Sequence, residues 1–447
     1  MAPEGASAPK GVALMPMGLG QLGLPLGPFT LALGLLAPAC GGPEPAPPAP
    51  VPPGEMPPGM WTDLRFAPGA GELSQAERER LEALGALGYA TALEAHEGPT
   101  GVLTREPGRA VGPVLYTSGH AAEALMIDDG GSVLHRWGHA FADLPGEEEP
   151  PHPTQEPWRR VRVLEDGGLL ALHDGVGLAR LDRDSNLLWW HRGGEHHDLW
   201  VAPDASIWTL TRQPARLPEL GPEPVLEDFL THLSPGGEVL GQVSLLRALL
   251  ASPHAHLLER VDPSERGDPL HANSLAPVGE ALAARLQGVD ADAFLLSLRN
   301  PSALVVLQPR TERLQAALIG PFVRQHDARP TAEGTVLLFD NMGREGWSRA
   351  LEWDPAAEAI AWSWEGQEGA PLLSVFCGAA QRLPGGTTLV TESTAGRAYE
   401  VDREGRVLWR FESPHRAGEG DRLVGVLYEA QRLPGVPKGL EGALKRR

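Results

Sequence analysis

From about Gly112 onward, short apolar runs alternate with turns of the types "DDGG", "EDGG", "SPGG", "AEG" and "PGG". Runs of this length between Gly-rich turns predict β-strands. Several stretches close on a tryptophan-bearing strand pattern: "GGSVLHRW", "DSNLLWWHR", "AAEAIAWSW" and "EGRVLWRF". The pattern recurs over roughly 114–137, 157–192, 195–244, 270–319, 325–364 and 377–411. Most of these units are about 35 to 50 residues long, the period of a four-stranded propeller blade. Six recurrences predict an all-β chain folded as a six-bladed β-propeller.

The C-terminus predicts how the ring closes. "YEAQRLPG" (Tyr428 to Gly435) nearly repeats "GAAQRLPGG" (Gly378 to Gly386), the inner strand and turn of the sixth unit. The first unit lacks an inner strand of its own. A C-terminal strand completing it would leave no open edge. One stretch, "LLRALLASPHAHLLERV" near 245–261, breaks the β pattern and predicts a helical insertion between the third and fourth blades. Further upstream, "LSQAERERLEALGALGYA" pairs Ser74 with Glu77 as a capping box ahead of leucines at helical spacing, which predicts a short helix.

The remaining N-terminal sequence changes the picture of location. "GLGQLGLPLGPFTLALGLLAPACGG" (Gly18 to Gly42) is uncharged and apolar and ends in small residues and Cys40; a Pro-rich stretch follows. Together they resemble a bacterial lipoprotein signal with a tether. The resemblance implies export to the periplasm or cell envelope, with a lipid on Cys40. The expected organisation is a signal segment over 1–40, a linker over 41–60 and a helical or irregular region over 61–111. The propeller is expected over 112–435 and a tail over 436–447. Composition fits: 54 glycines and 44 prolines suit a turn-rich β protein, and two cysteines make no disulfide framework. The formal charge of −20 argues against nucleic acid and anionic membrane as partners. It leaves a homo-oligomer open.

Candidate chemistry emerges when the units are aligned on their first turn. Six residues before Pro203, Pro277 and Ala332 stand His197, His271 and His326. Six before Pro384 stands Gly378, read as leaving space in the channel, and six before Pro434 stands Tyr428. Inner strands line a propeller's central channel, so residues at this step face one another across its mouth. Asn273 follows His271 on the same strand face. Arg299 ends an otherwise apolar run, which is costly unless it is paired or binds an anion. Asp198 and Asp327 read as structural or as groups that orient the adjacent imidazoles, and either is a candidate partner for Arg299. Three imidazoles, an amide and a guanidinium suit a small dense anion such as sulfate. Three histidines would also suit a divalent cation, against which Arg299 counts. A non-catalytic propeller binding a glycan or protein at its rim is a third reading.

"HHDLW…PDASIWTLT", "DPLHANS", "LLSLRNPSALVVL", "QHDARPTAEGTVLLFDN", "SRALEWD" and "QRLPGGTTLV…GRAYEVDREGRVLW" resemble the bacterial arylsulfotransferases, in order, across roughly residues 110 to 434. The resemblance implies a periplasmic six-bladed propeller that moves a sulfuryl group from an aryl sulfate to a phenolic acceptor without a nucleotide donor. It implies no cofactor and no metal. It implies that His326 is the nucleophile, transiently sulfurylated, with His197, His271 and Arg299 as further catalytic groups. Asn273 would hold the sulfuryl oxygens, and His196 and Tyr428 are further substrate-binding candidates. His197 rather than His196 is matched, because the histidine directly before the aspartate aligns with His326.

Overall fold

The computed structural model describes residues 93–95 and 97–444. Six antiparallel sheets form the blades of a β-propeller. From the inside outward, blade two is Trp158–Val163, Leu169–His173, Gly177–Leu181 and Leu187–His191. Blade three is Glu195–Val201, Ile207–Ala215, Val225–Leu233 and Val239–Ser244. Blade four is Ala272–Pro277, Phe294–Leu298, Ala303–Gln308 and Arg313–Leu318. Blade five is His326–Pro330, Val336–Arg344, Trp347–Asp354 and Ala359–Trp364.

Blade one closes as the repeat predicts. Its inner strand is the C-terminal Leu427–Arg432, paired antiparallel with Val114–Ser118, and Glu123–Ile127 and Val133–Gly138 complete it. Blade six (Ala379–Arg382, Thr388–Glu392, Arg397–Val401, Val407–Glu412) carries a fifth, outermost strand, Gly101–Arg105. The propeller thus begins earlier than the expected boundary at 112. The tail is also part of it: Lys438–Leu444 is helical, and Leu440 is buried with Trp137 and Trp158 between blades one and two.

Burial follows position within a blade. The middle strands of blade two, Leu169–His173 and Gly177–Leu181, are buried throughout, because a neighbouring blade covers each face. Its outer strand, Leu187–His191, is only partly covered. The helical insertion falls where the broken pattern predicts it. Leu245–Leu250 is capped by Ser244, whose Oγ accepts from the Arg247 amide, and short 3-10 turns follow over Ala255–Arg260 and Pro263–Glu265. Leu245, Leu246, Leu249 and Leu257 pack between blades three and four, which anchors the segment. The helix predicted after Ser74 and the segment around Cys40 lie outside the described residues.

Several inner strands enter the channel through a backbone kink. His197, His271 and Asp327 have positive φ (58°, 47° and 54°), and Cys377 does as well (56°). Non-glycine residues adopt this conformation only when their surroundings impose it. Gly378, at φ 97°, occupies the corresponding place in blade six. Its space is not open channel, as the sequence suggested: a Cβ there would meet the Phe339 ring at 2.3 Å.

Candidate active site

The three histidines found by the six-residue step converge. The His197 ring centroid lies 4.9 Å from that of His271 and 6.4 Å from that of His326. Each ring is held differently. His271 Nδ1 lies 2.5 Å from Asp268 Oδ2, at the end of the insertion. The His197 backbone amide donates to Asp174 Oδ1 at 2.8 Å, which fixes the kink that turns its ring into the channel.

His326 is held by Asn341, and that contact assigns its tautomer. Asn341 Nδ2 donates to the carbonyls of Ser374 (2.7 Å) and Cys377 (2.8 Å), so its Oδ1 faces His326 Nδ1 at 2.9 Å. An amide oxygen only accepts, so Nδ1 carries the hydrogen and Nε2 keeps its lone pair. Burial, followed by the positive charges of Arg299 and Arg159, holds the His326 pKa well below the ordinary imidazole value. His197 is likewise held low by burial, with the neighbouring His271 and Arg159 adding to it. Both imidazoles are therefore neutral near neutral pH, able to attack an electrophile or accept a proton.

Arg299 reaches the same centre, but its carboxylate partner is neither Asp198 nor Asp327. Its Nη1 donates to Glu265 Oε1 at 3.2 Å and to Asn300 Oδ1 at 2.5 Å. Glu265 also accepts from Arg324 at 2.7 and 3.1 Å, so a carboxylate from the insertion positions two guanidiniums. Asn273 Nδ2 donates to the Gln325 carbonyl at 2.8 Å and so braces the peptide before His326; its Oδ1 is buried with no hydrogen-bond partner. His196 stands behind His197, their Nδ1 atoms 3.0 Å apart, and its Nε2 lies 3.4 Å from Asp228. That position puts His196 between His197 and Asp228, where it braces the His197 ring. Tyr428 is buried with Phe376, Cys377 and Val426, and the Arg159 guanidinium lies over its ring at 5.3 Å.

Arg159 escaped the sequence reading, although the same step finds it. Six residues before Glu165, the first-turn position of blade two, stands Arg159. It is buried (3 % exposed), and its charge acts on both His197 and His326.

Directly beneath the histidines lies a charged layer. Asp198 is paired with Arg329 (2.7 Å), Arg162 (3.2 Å) and Arg160 (3.4 Å). Asp327 is paired with Arg329 (2.7 Å) and Arg160 (3.2 Å), and its Oδ2 accepts from the Ala380 amide at 3.1 Å. Glu429 of blade one pairs with Arg160 and, at 3.0 Å, with Arg162. Burial opposes the charge on Asp327, but Arg329 and Arg160 outweigh it and hold the carboxyl well below its usual range.

Comparison with known proteins adds a family. The model of the arylsulfotransferase (ASST) family matches residues 160–414, more than half of the chain. No curated protein sequence matches. Among solved structures, a protein of unknown function from Bacteroides caccae aligns at TM-score 0.47 and 11% identity, over 72% of this chain and 98% of its own. Virginiamycin B lyase from Staphylococcus aureus aligns at 0.40 and 10%, over 73% and 89%. The WD40 propeller domain of Doa1 aligns at 0.40 and 11%, over 73% and 87%. These likenesses are too distant to speak to activity.

Proposed function

Because this chain belongs to the arylsulfotransferase family, we propose that it moves a sulfuryl group from an aryl sulfate to a phenolic acceptor through His326. The observation that carries this reading is the tautomer of His326: the amide oxygen of Asn341 leaves Nε2 unprotonated beside two other imidazoles and two guanidiniums. In the first half-reaction Nε2 attacks sulfur, the S–O bond to the aryl group breaks, and the aryl oxide leaves with those electrons. In the second, the phenol oxygen attacks the same sulfur and the N–S bond breaks back to Nε2. The proton lost by the acceptor balances the one taken up by the leaving aryl oxide; the neutral imidazole of His197 is in place to pass it, and the His271 ring stands beside it. Arg299 and Arg159 stabilise charge on the transferring oxygens. The same two cations count against the alternative of a metal ion held in this channel. The apolar run before Cys40 supports export, with a lipid anchor on that cysteine. Cys40→Ala should then move the protein from the membrane to the soluble fraction, and no change in partition would remove the anchor.

The test mixes the full chain with 4-nitrophenyl sulfate and phenol, following nitrophenolate release and intact mass together. Acceptor-dependent release is expected, with a sulfuryl-sized mass gain that His326→Ala lacks. An adduct that survives in His326→Ala would move the nucleophile elsewhere. Absence of turnover and adduct across several aryl donors would favour a propeller that only binds.

A further inference from the structure

A second cluster of ligating side chains lies away from the channel histidines, at the seam where the ring closes. His120 stands on the connection between Val114–Ser118 and Glu123–Ile127 of blade one, and Glu123 opens the second of these strands. His415 stands on the connection from blade six to the closing strand Leu427–Arg432. The fold brings them together across nearly 300 residues of sequence. One donor atom from each of the three lies within 4.8 Å of the other two. His120 Nε2 is 2.8 Å from Glu123 Oε1, and the two imidazoles stack with centroids 3.6 Å apart and planes 12° from parallel.

Three features go beyond a chance meeting of side chains. His120 Nδ1 is buried with no hydrogen-bond partner, an unsatisfied ring nitrogen in a group that ordinarily uses both. The outer partners of the cluster are in place: Arg136 holds the other carboxylate oxygen, Glu123 Oε2, at 2.9 Å, and the Tyr116 hydroxyl lies 3.0 Å from His415 Nε2. Such contacts orient ligands around a metal. Finally, His120 and Glu123 are partly exposed (side chains 18% and 12%), so an ion has an entry path.

We propose that His120, Glu123 and His415 form a divalent-metal site that clamps blade one to the blade-six connection. Two imidazoles and one carboxylate are a donor set that zinc favours, with the fourth position left to water. An ion at about 2 Å from each donor draws the three inward. The stacked rings must rotate apart for their lone pairs to meet at one point. The ion would add a bond between segments that meet only where the ring closes, so it should act on stability. The proposal is independent of the sulfuryl-transfer reading.

The experiment titrates chelator-stripped full chain with zinc against a chromogenic chelator, and records thermal unfolding with and without zinc. Wild type should take up one equivalent, and its Tm should rise with zinc concentration. His415→Ala and Glu123→Gln should each weaken binding by about 10- to 100-fold and suppress the Tm rise. Glu123→Gln keeps the side-chain shape, so it reports even where His415→Ala folds poorly. The channel variant His271→Ala should bind zinc as wild type does. Failure of the wild type to bind, or binding lost in His271→Ala and kept in Glu123→Gln, would overturn the proposal.

Discussion

Two layers of the central channel, one residue apart in sequence, have opposite electrostatics. At the mouth stand His197 and His326, with pKa values pushed down so that both are neutral. Immediately below stand Asp198 and Asp327, fully charged and paired with Arg160 and Arg329. The backbone kink, at His197 in blade three and at Asp327 in blade five, sends one side chain of each pair up and the other down. The difference teaches how this propeller combines rigidity with reactivity. A carboxylate whose bonds are all taken can fix a strand but has nothing to offer a substrate. An imidazole denied a proton by burial and nearby cations keeps a lone pair to use.

Substitution at adjacent positions should separate the layers. His326→Ala is expected to lower kcat/KM by about 10^4-fold or more, because the covalent route disappears, while the urea unfolding midpoint moves little. Asp327→Asn should show the reverse emphasis. Removing one charge of a buried network leaves Arg160 and Arg329 undercompensated and costs about 3–5 kcal/mol of stability. If Asp327→Asn instead left the unfolding midpoint unchanged and abolished activity, the division between supporting and reacting layers would be wrong.

A smaller effect is expected from Arg159, on the side of the mouth without histidines. Arg159→Ala should cut kcat/KM by about 10²-fold, as loss of one group stabilising transition-state charge does. Lysine there should restore part of it. Steady-state kinetics on the three proteins decides this, and unchanged kinetics in Arg159→Ala would confine the anion site to blades three to five.

Arg159 also marks what was legible in the sequence. The step that located His197, His271 and His326 works because each inner strand runs the same length from channel mouth to first turn. Applied to Glu165, it yields Arg159 as readily. Glu265 and Asp268 obey no such rule, since they sit on an insertion with no counterpart in other blades. The strand Gly101–Arg105 was hidden for a related reason. Its five residues have no repeat phase of their own, and its partner, Val407–Glu412, lies some 300 residues away. The blades could be counted because their periodicity is local. The closing strand could be read as well, because it repeats the inner strand of the sixth unit; a strand with no such counterpart could not.

The two layers should also separate on a pH axis. In the folded state His326 and His197 stay unprotonated well below 6.5, whereas the unfolded chain titrates near that value. The unfolded state therefore binds more protons in this window, so stability rises with pH through it and declines as pH falls below about 6.5. His173, held down to about 4 by burial, contributes to the same stage. Asp327, with its lowered pKa, adds its own loss only once pH falls below the unfolded carboxylate value, about 4. Urea unfolding from pH 8 to 3 should show both stages, and His326→Ala should shrink only the first. In kinetics, the acid limb of kcat/KM should lie well below pH 6.5; a limb centred at 6.5 would mean that His326 titrates as an ordinary imidazole.

The smallest effect concerns the insertion, which belongs to neither layer yet reaches the mouth. Glu265 accepts from both Arg299 and Arg324, and its side chain is about one-fifth exposed. Solvent screens such a pair, so Glu265→Gln should cost little in stability, within about 1 kcal/mol. Its effect should fall on how firmly Arg299 is aimed. Glutamine keeps an oxygen in place of Oε1, which accepts from both guanidiniums, but removes the charge and the Oε2 bond to Arg324. A drop of about 3- to 10-fold in kcat/KM is expected, carried by kcat if Arg299 acts on the transferring group and by KM if it only captures the donor. Kinetics with 4-nitrophenyl sulfate at fixed phenol reads that split. An unchanged kcat with a raised KM would place Arg299 in capture and leave charge stabilisation in the transfer step to Arg159.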